Sequence, residues 1–186
     1  MAADEPTAAD KPTAAEEIVG VYGPVGDLSA VEIGTAPRSR VRAENLPHAG
    51  TGILVRDPAG RIYVHRRADT KDINPGGYDC FAGGVVGADE APQDCAGREL
   101  AEELGIRGPR IVPLFRQWYV DRSTCYLACI FAVTWDGALT HQPEEVAWGD
   151  WMTPGELAQR LADPDWRFVP DALSAYDECR RRGIIG

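Results

Sequence analysis

The chain has 186 residues, 44% of them hydrophobic and 26% charged, with a formal net charge of −10. That length suits one domain able to bury a sizeable core without disulfide or metal staples. The acidity argues against wrapping a nucleic-acid polymer by nonspecific attraction, yet allows a small anionic substrate met by a cation or a local basic cluster.

Residues 1–16 hold the similar pieces "AADEPTAAD" and "KPTAAEE". Without large apolar side chains they are expected to form a disordered acidic tail, leaving 17–186 as a single domain. "EIVGVYGP" and "LSAVEIG" predict a β-hairpin about a Gly26-Asp27 turn. "PRSRVRAENL" predicts a short basic helix with Pro37 at its first position, so that 17–46 form an N-terminal extension. "GTGILVRDPAGRIYVHRR" gives two strands around Asp57-Pro58-Ala59-Gly60, followed by a turn-rich loop and "CFAGGVV". "APQDCAGRELAEEL" predicts a helix begun by Pro92 and ended by Gly105. "IVPLFRQWYV", "TCYLACIFAVTW" and "VAWGDWM" are strand candidates. "TPGELAQRLAD" carries a capping box of Thr153 and Glu156, and a last helix from about Pro170 to Arg182 closes at Gly183. This order predicts an α+β or mixed α/β/α sandwich with an N-terminal hairpin extension.

Cys80, Cys95, Cys125, Cys129 and Cys179 are odd in number and scattered, which predicts buried thiols rather than disulfides or a zinc site. The N-terminus lacks the apolar segment of a signal peptide, and the apolar run Tyr126 to Trp135 is too short for a bilayer. A cytoplasmic protein without a membrane partner is expected.

The chemistry concentrates in "GVVGADEAPQDCAGRELAEELGI", Gly84 to Ile106. At about 100° per residue, Glu99, Glu102 and Glu103 share one helix face beside an apolar stripe of Ala96, Leu100 and Leu104. Like charges so placed repel, and a solvated acidic face is the ordinary explanation. Clustered oxygen ligands are also what Mg²⁺ or Mn²⁺ require. The spacing separates the two: Gly84, five residues, Glu90, seven residues, Arg98-Glu99-Leu100, one residue, Glu102-Glu103, one residue, Gly105-Ile106. This matches the Nudix box without departure, and the chain resembles the Nudix superfamily.

The resemblance implies the Nudix sandwich fold and a divalent-metal-dependent hydrolase. Its substrate would be a small diphosphate-containing metabolite, nucleoside-diphosphate-type or other, with Mg²⁺ or Mn²⁺ as cofactor. Glu99 and Glu103 would be the main metal ligands, joined by Glu102 and the Gly83 carbonyl, while Arg98 and Glu90 hold the arrangement. A further Glu, counted back from Trp151, is Glu145, with Glu144 as the competing choice. Glu102, Glu103 and Glu145 are the candidate bases for activating water.

Upstream, "GILVRDPAGRIYVHRRADTKDINPGGYDCFAGG" resembles the isopentenyl-diphosphate-isomerase-like branch, which places Arg67 and Lys71 on a substrate diphosphate. Isomerisation itself needs a Cys acid where Gly83 stands and a metal His where Val85 stands; of His48, His65 and His141, only His48 falls near an isomerase ligand position. A hydrolase of that branch is therefore expected, with a non-catalytic nucleotide sensor and the isomerase as alternatives. Trp118, Tyr119, Trp135 and Trp148 are candidates for stacking on a nucleobase or for the core. By analogy with the family, the hairpin would serve a homodimer.

Overall fold

The computed structural model describes residues 16–186, so the expected tail lies outside the described residues except for Glu16. The chain begins with β1 (Ile18–Gly23), β2 (Val31–Pro37) and α1 (Arg38–Ala43). Next come β3 (His48–Arg56), β4 (Ile62–Arg67), β5 (Tyr78–Asp79), β6 (Phe81–Ala82) and α2 (Pro92–Leu104). Strands β7 (Val112–Val120), β8 (Cys125–Thr134) and β9 (Val146–Met152) then precede α3 (Pro154–Leu161) and α4 (Pro170–Arg181).

Strands β3 and β8 run parallel, from His48 opposite Tyr126 to Arg56 opposite Thr134. Their near-continuous apolar sequences follow from burial on both faces. Along β8, Leu127, Cys129, Phe131 and Val133 enter the core beneath α2, whereas Ala128, Ile130 and Ala132 enter the core beneath α3 and α4. β7 extends this ladder antiparallel to β8, and β6 pairs with β3. β4 forms a second ladder with β5 and β9 and joins β3 only at Arg56 opposite Ile62. Helices on both faces of the sheet complete the expected α/β/α sandwich.

The local signals hold with two differences. Thr153 and Glu156 form the reciprocal capping box, and Gly105 and Gly183 take left-handed φ values of 70° and 68°. Pro37, however, is the N-cap of α1 rather than its first helical residue. The hairpin turn also spans 24–30 and includes Gly26 and Asp27, rather than being a tight two-residue turn. Asp27 caps that longer turn by accepting from the Ser29 N–H and hydroxyl at 2.8 and 2.7 Å.

The hairpin is stitched to the acidic segment. Val19 bridges to Gly87, the Ala88 N–H donates to the Ile18 carbonyl at 3.0 Å, and the Asp89 N–H donates to Glu32 Oε2 at 3.1 Å. All five cysteines are free and buried. Among the described residues, no helix is long and apolar enough to cross a membrane.

Candidate active site

Just after β6 the backbone passes too close to β3 for any side chain. Gly83 has φ of 146°, and a Cβ there would lie 2.2 Å from the Thr51 carbonyl oxygen. Its N–H donates to Glu103 Oε2 at 3.1 Å. At Gly84 a Cβ would meet Glu99 Oε1 at 2.4 Å, so the carboxylate occupies the room that the missing side chain leaves. The Thr51 N–H donates to the Gly84 carbonyl at 2.8 Å and fastens this turn to β3.

Arg98 braces the acidic segment. Its Nε and Nη2 donate to Glu90 at 2.9 and 3.1 Å, and its Nη1 donates to Glu99 at 2.7 Å and to Glu102 at 3.2 Å. Glu90 also accepts from the Gly87 N–H at 2.9 Å. Burial opposes the charge of Glu90, but the Arg98 and Gly87 donors outweigh it and hold the carboxyl below its ordinary range.

The carboxylates of α2 are graded rather than equivalent. Glu102 is exposed, Glu99 is half-buried, and Glu103 is only 7% exposed. Burial, reinforced by the charge of Glu99, pushes Glu103 up to about 8 despite the Gly83 N–H. Glu99 is also raised, by burial first, with Arg98 opposing and Glu102 and Glu145 adding to the rise.

The end of α2 brings in a distant segment. Past Gly105, the Thr140 N–H donates to the Leu104 carbonyl at 2.9 Å and the Gln142 N–H to the Glu103 carbonyl at 3.1 Å. Carbonyls left unpaired at the helix end thus hold the segment that carries Glu145. The Ala68 N–H donates to the Glu145 carbonyl at 2.9 Å, and the Glu145 carboxylate pairs with Lys71. Arg67 turns onto the Ile73 carbonyl, donating from Nε and Nη2 at 3.3 and 3.1 Å.

These groups open onto one cavity of about 780 Å³, within the range of small-molecule sites. Gly83, Glu99, Glu102 and Glu103 face it together with Arg67, Lys71, Glu144 and Glu145. Residues 46–172 match the family model described as the NUDIX domain. The chain belongs to the Nudix hydrolase family.

Its relatives agree. This Nudix hydrolase is 46% identical over 168 residues to the uncharacterized Nudix hydrolase orf19 of Rhodococcus erythropolis, covering 84% of this chain and 88% of that one. It is 38% identical to the uncharacterized Nudix hydrolase YfcD of Escherichia coli K12, covering 77% of each. Its fold is similar to that of DR0079 from Deinococcus radiodurans, with a TM-score of 0.69 at 21% identity over 87% of this chain and 98% of that one. A MutT protein from Methanosarcina mazei Go1 gives 0.60 at 21% identity, over 74% and 94%.

Nudix hydrolases generally use divalent metal ions, and the donor set of this cavity fits one. Glu99, Glu102, Glu103 and Glu145 offer hard oxygen atoms alone, and Glu103 is a buried carboxylate whose ionised form lacks a full counter-charge. Among the described residues no three His, Cys, Asp or Glu side chains are already gathered into a metal-holding group. Arg98 engages Glu99 and Glu102, and Lys71 engages Glu145.

Of the aromatic candidates, Tyr119 lines the cavity and the three tryptophans do not. Trp118 Nε1 donates to the Asp27 carbonyl at 2.8 Å, Trp135 Nε1 to the Ala138 carbonyl at 3.3 Å, and Trp148 meets Tyr78 edge-on. Sequence reasoning missed Asp79, Tyr126 and Asp171, which also face the cavity. Tyr126 donates to Asp171 Oδ2 at 2.7 Å across 45 residues of sequence. Burial, then the charge of Asp171, lifts Asp79 to about 7. No local spacing signals such a contact.

Proposed function

We propose that the protein is a divalent-metal-dependent hydrolase that cleaves a diphosphate linkage in a small metabolite, of the nucleoside-diphosphate type or another diphosphate. The observation that supports this reading is Glu103, a buried carboxylate raised to about 8 beside Glu99 and facing a cavity that also holds Arg67 and Lys71. A buried cluster of this kind is costly unless a cation meets it. Glu99 and Glu103 would hold the ion, Mg²⁺ or Mn²⁺, with Glu102 and the Gly83 carbonyl. The ion would neutralise phosphate charge and lower the pKa of an attacking water.

The chain's own residues supply the rest. Arg98 keeps Glu99 and Glu102 from repelling each other, and a carboxylate among Glu102, Glu103 and Glu145 accepts the water's proton. Arg67 and Lys71 receive the phosphate that turns away from the metal. His48, the isomerase-like ligand candidate, has Nδ1 at 3.1 Å from the Leu46 carbonyl and stacks on Tyr126. Gly83 offers no acid for proton transfer to an alkene.

Five free buried thiols suit the reducing cytoplasm. The partner proposed for the hairpin is a second copy of the chain. Among the described residues β2 pairs with β1 alone, and it exposes Val31 and Ile33 at 62% and 68%. An open apolar edge of this kind can pair with its own copy about a twofold axis.

Incubation with Mg²⁺ and a panel of diphosphate metabolites, including isopentenyl diphosphate, with products read by mass spectrometry, tests the function. Phosphate-bearing cleavage products are expected. Tight binding without turnover would show a sensor, and formation of the dimethylallyl isomer would show an isomerase.

A further inference from the structure

Two basic residues line the cavity but are differently engaged. Arg67 spends its guanidinium on a backbone carbonyl of its own loop. Lys71 is instead paired with Glu145, a carboxylate that lines the same cavity as Glu99 and Glu103. The pair is 23% and 28% exposed at its two side chains, so it is neither sealed in the core nor fully open to solvent.

The backbone bond from Ala68 to the Glu145 carbonyl already fastens the two segments, and the Lys71 N–H donates to the Ala68 carbonyl at 3.2 Å. The ammonium is therefore not required to hold them together. It is a compact charge on a flexible stem whose anchor stays fixed while its head moves.

We propose that Lys71 is a displaceable cation on Glu145: a divalent ion competes with it for that carboxylate, and the displaced ammonium turns to the substrate's phosphate. Metal then binds before substrate, because the same event that completes the carboxylate set frees a phosphate donor. This rests on the metal-dependent reading above. It adds that Lys71 and the metal ion oppose each other on the protein alone and cooperate once substrate is present.

Mn²⁺ binding to the full chain without substrate, followed by electron paramagnetic resonance of the free ion, tests the competition. Lys71→Met should tighten Mn²⁺ binding roughly five-fold, the size of a partly exposed ion pair. The same change made on Glu145→Gln should leave affinity where Glu145→Gln alone put it, which makes a double-mutant cycle. Lys71→Gln, read the same way, serves if the Met variant does not fold.

Methylenediphosphonate, which is not hydrolysed, tests the release. In EDTA it should bind Glu145→Gln more tightly than wild type, and adding Lys71→Met should remove the gain. Unchanged or weaker Mn²⁺ binding in Lys71→Met overturns the proposal in favour of a structural clamp. Equal tightening in both Glu145 backgrounds overturns it in favour of plain charge repulsion. Absence of Mn²⁺ binding by the wild type would instead overturn the metal-dependent function on which it rests.

Discussion

Glu103 lies one turn of α2 beyond Glu99, and the charge of Glu99 adds to burial in raising the Glu103 carboxyl to about 8. Between its ordinary value of 4.5 and about 8, the folded chain keeps a proton that the unfolded chain has released. The contribution of Glu103 to stability is therefore fully present below about 4.5 and is lost as pH rises towards 8. Urea denaturation in EDTA should show wild type losing stability relative to Glu103→Gln across that window. His65, held down to about 3 by burial first, works in the opposite sense between 3 and 6.5. The difference between the two proteins, rather than either curve alone, isolates Glu103. In Mg²⁺, Glu103→Gln should be folded and without turnover; full activity would sink the assignment of Glu103 to the metal.

Replacing Arg98 should uncouple stability from activity. The guanidinium contacts Glu90, Glu99 and Glu102 while 35% of its side chain stays open to solvent. Screening discounts those pairs, so Arg98→Ala should cost about 1–2 kcal/mol by urea titration. The loss in kcat/KM should be the larger effect, since Glu99 and Glu102 then repel each other. Arg98→Lys should not restore activity, because one ammonium cannot reproduce the planar fork.

Gly83→Ala tests the close approach to β3. The new methyl group would meet the Thr51 backbone at 2.2 Å in a conformation that L-residues rarely adopt. A loss of about 3 kcal/mol or more is expected, read as a lower denaturation midpoint. A variant as stable as wild type would show that the turn has more freedom than this geometry allows.

The hairpin edge is tested by solution size. Ile33→Lys places a charge on the exposed apolar edge of β2 and should convert a dimer into a monomer in analytical ultracentrifugation. Wild type sedimenting as a monomer would remove the second copy as the hairpin's partner.

The box was legible because its chemistry is written at fixed short spacings. Arg98 reaches Glu102 within one helical turn and Glu90 just ahead of the first residue of α2, so every contact is short in sequence. Helical periodicity put Glu99, Glu102 and Glu103 on one face, but it carries no depth. Only the approach of Gly83 to α2 reveals that Glu103 is buried while Glu102 is not. Lys71 and Glu145 were each singled out separately, yet their contact spans 74 residues and depends on how α2 ends. The tryptophans stay open in the sequence for the opposite reason. Their size and polar edge suit a nucleobase as well as a backbone carbonyl, and here Trp118 and Trp135 donate to carbonyls.

The matched family span begins at residue 46, after the hairpin and α1. Yet Ile18, Val19 and Glu32 hold the loop inside the box that precedes α2, and Arg38, Val41 and Arg42 face the cavity. The opening segment is thus masonry of the reaction chamber itself. A chain cut back to residue 46 would lose a wall rather than an ornament, and its failure to turn over substrate would say nothing about whether the intact protein is an enzyme.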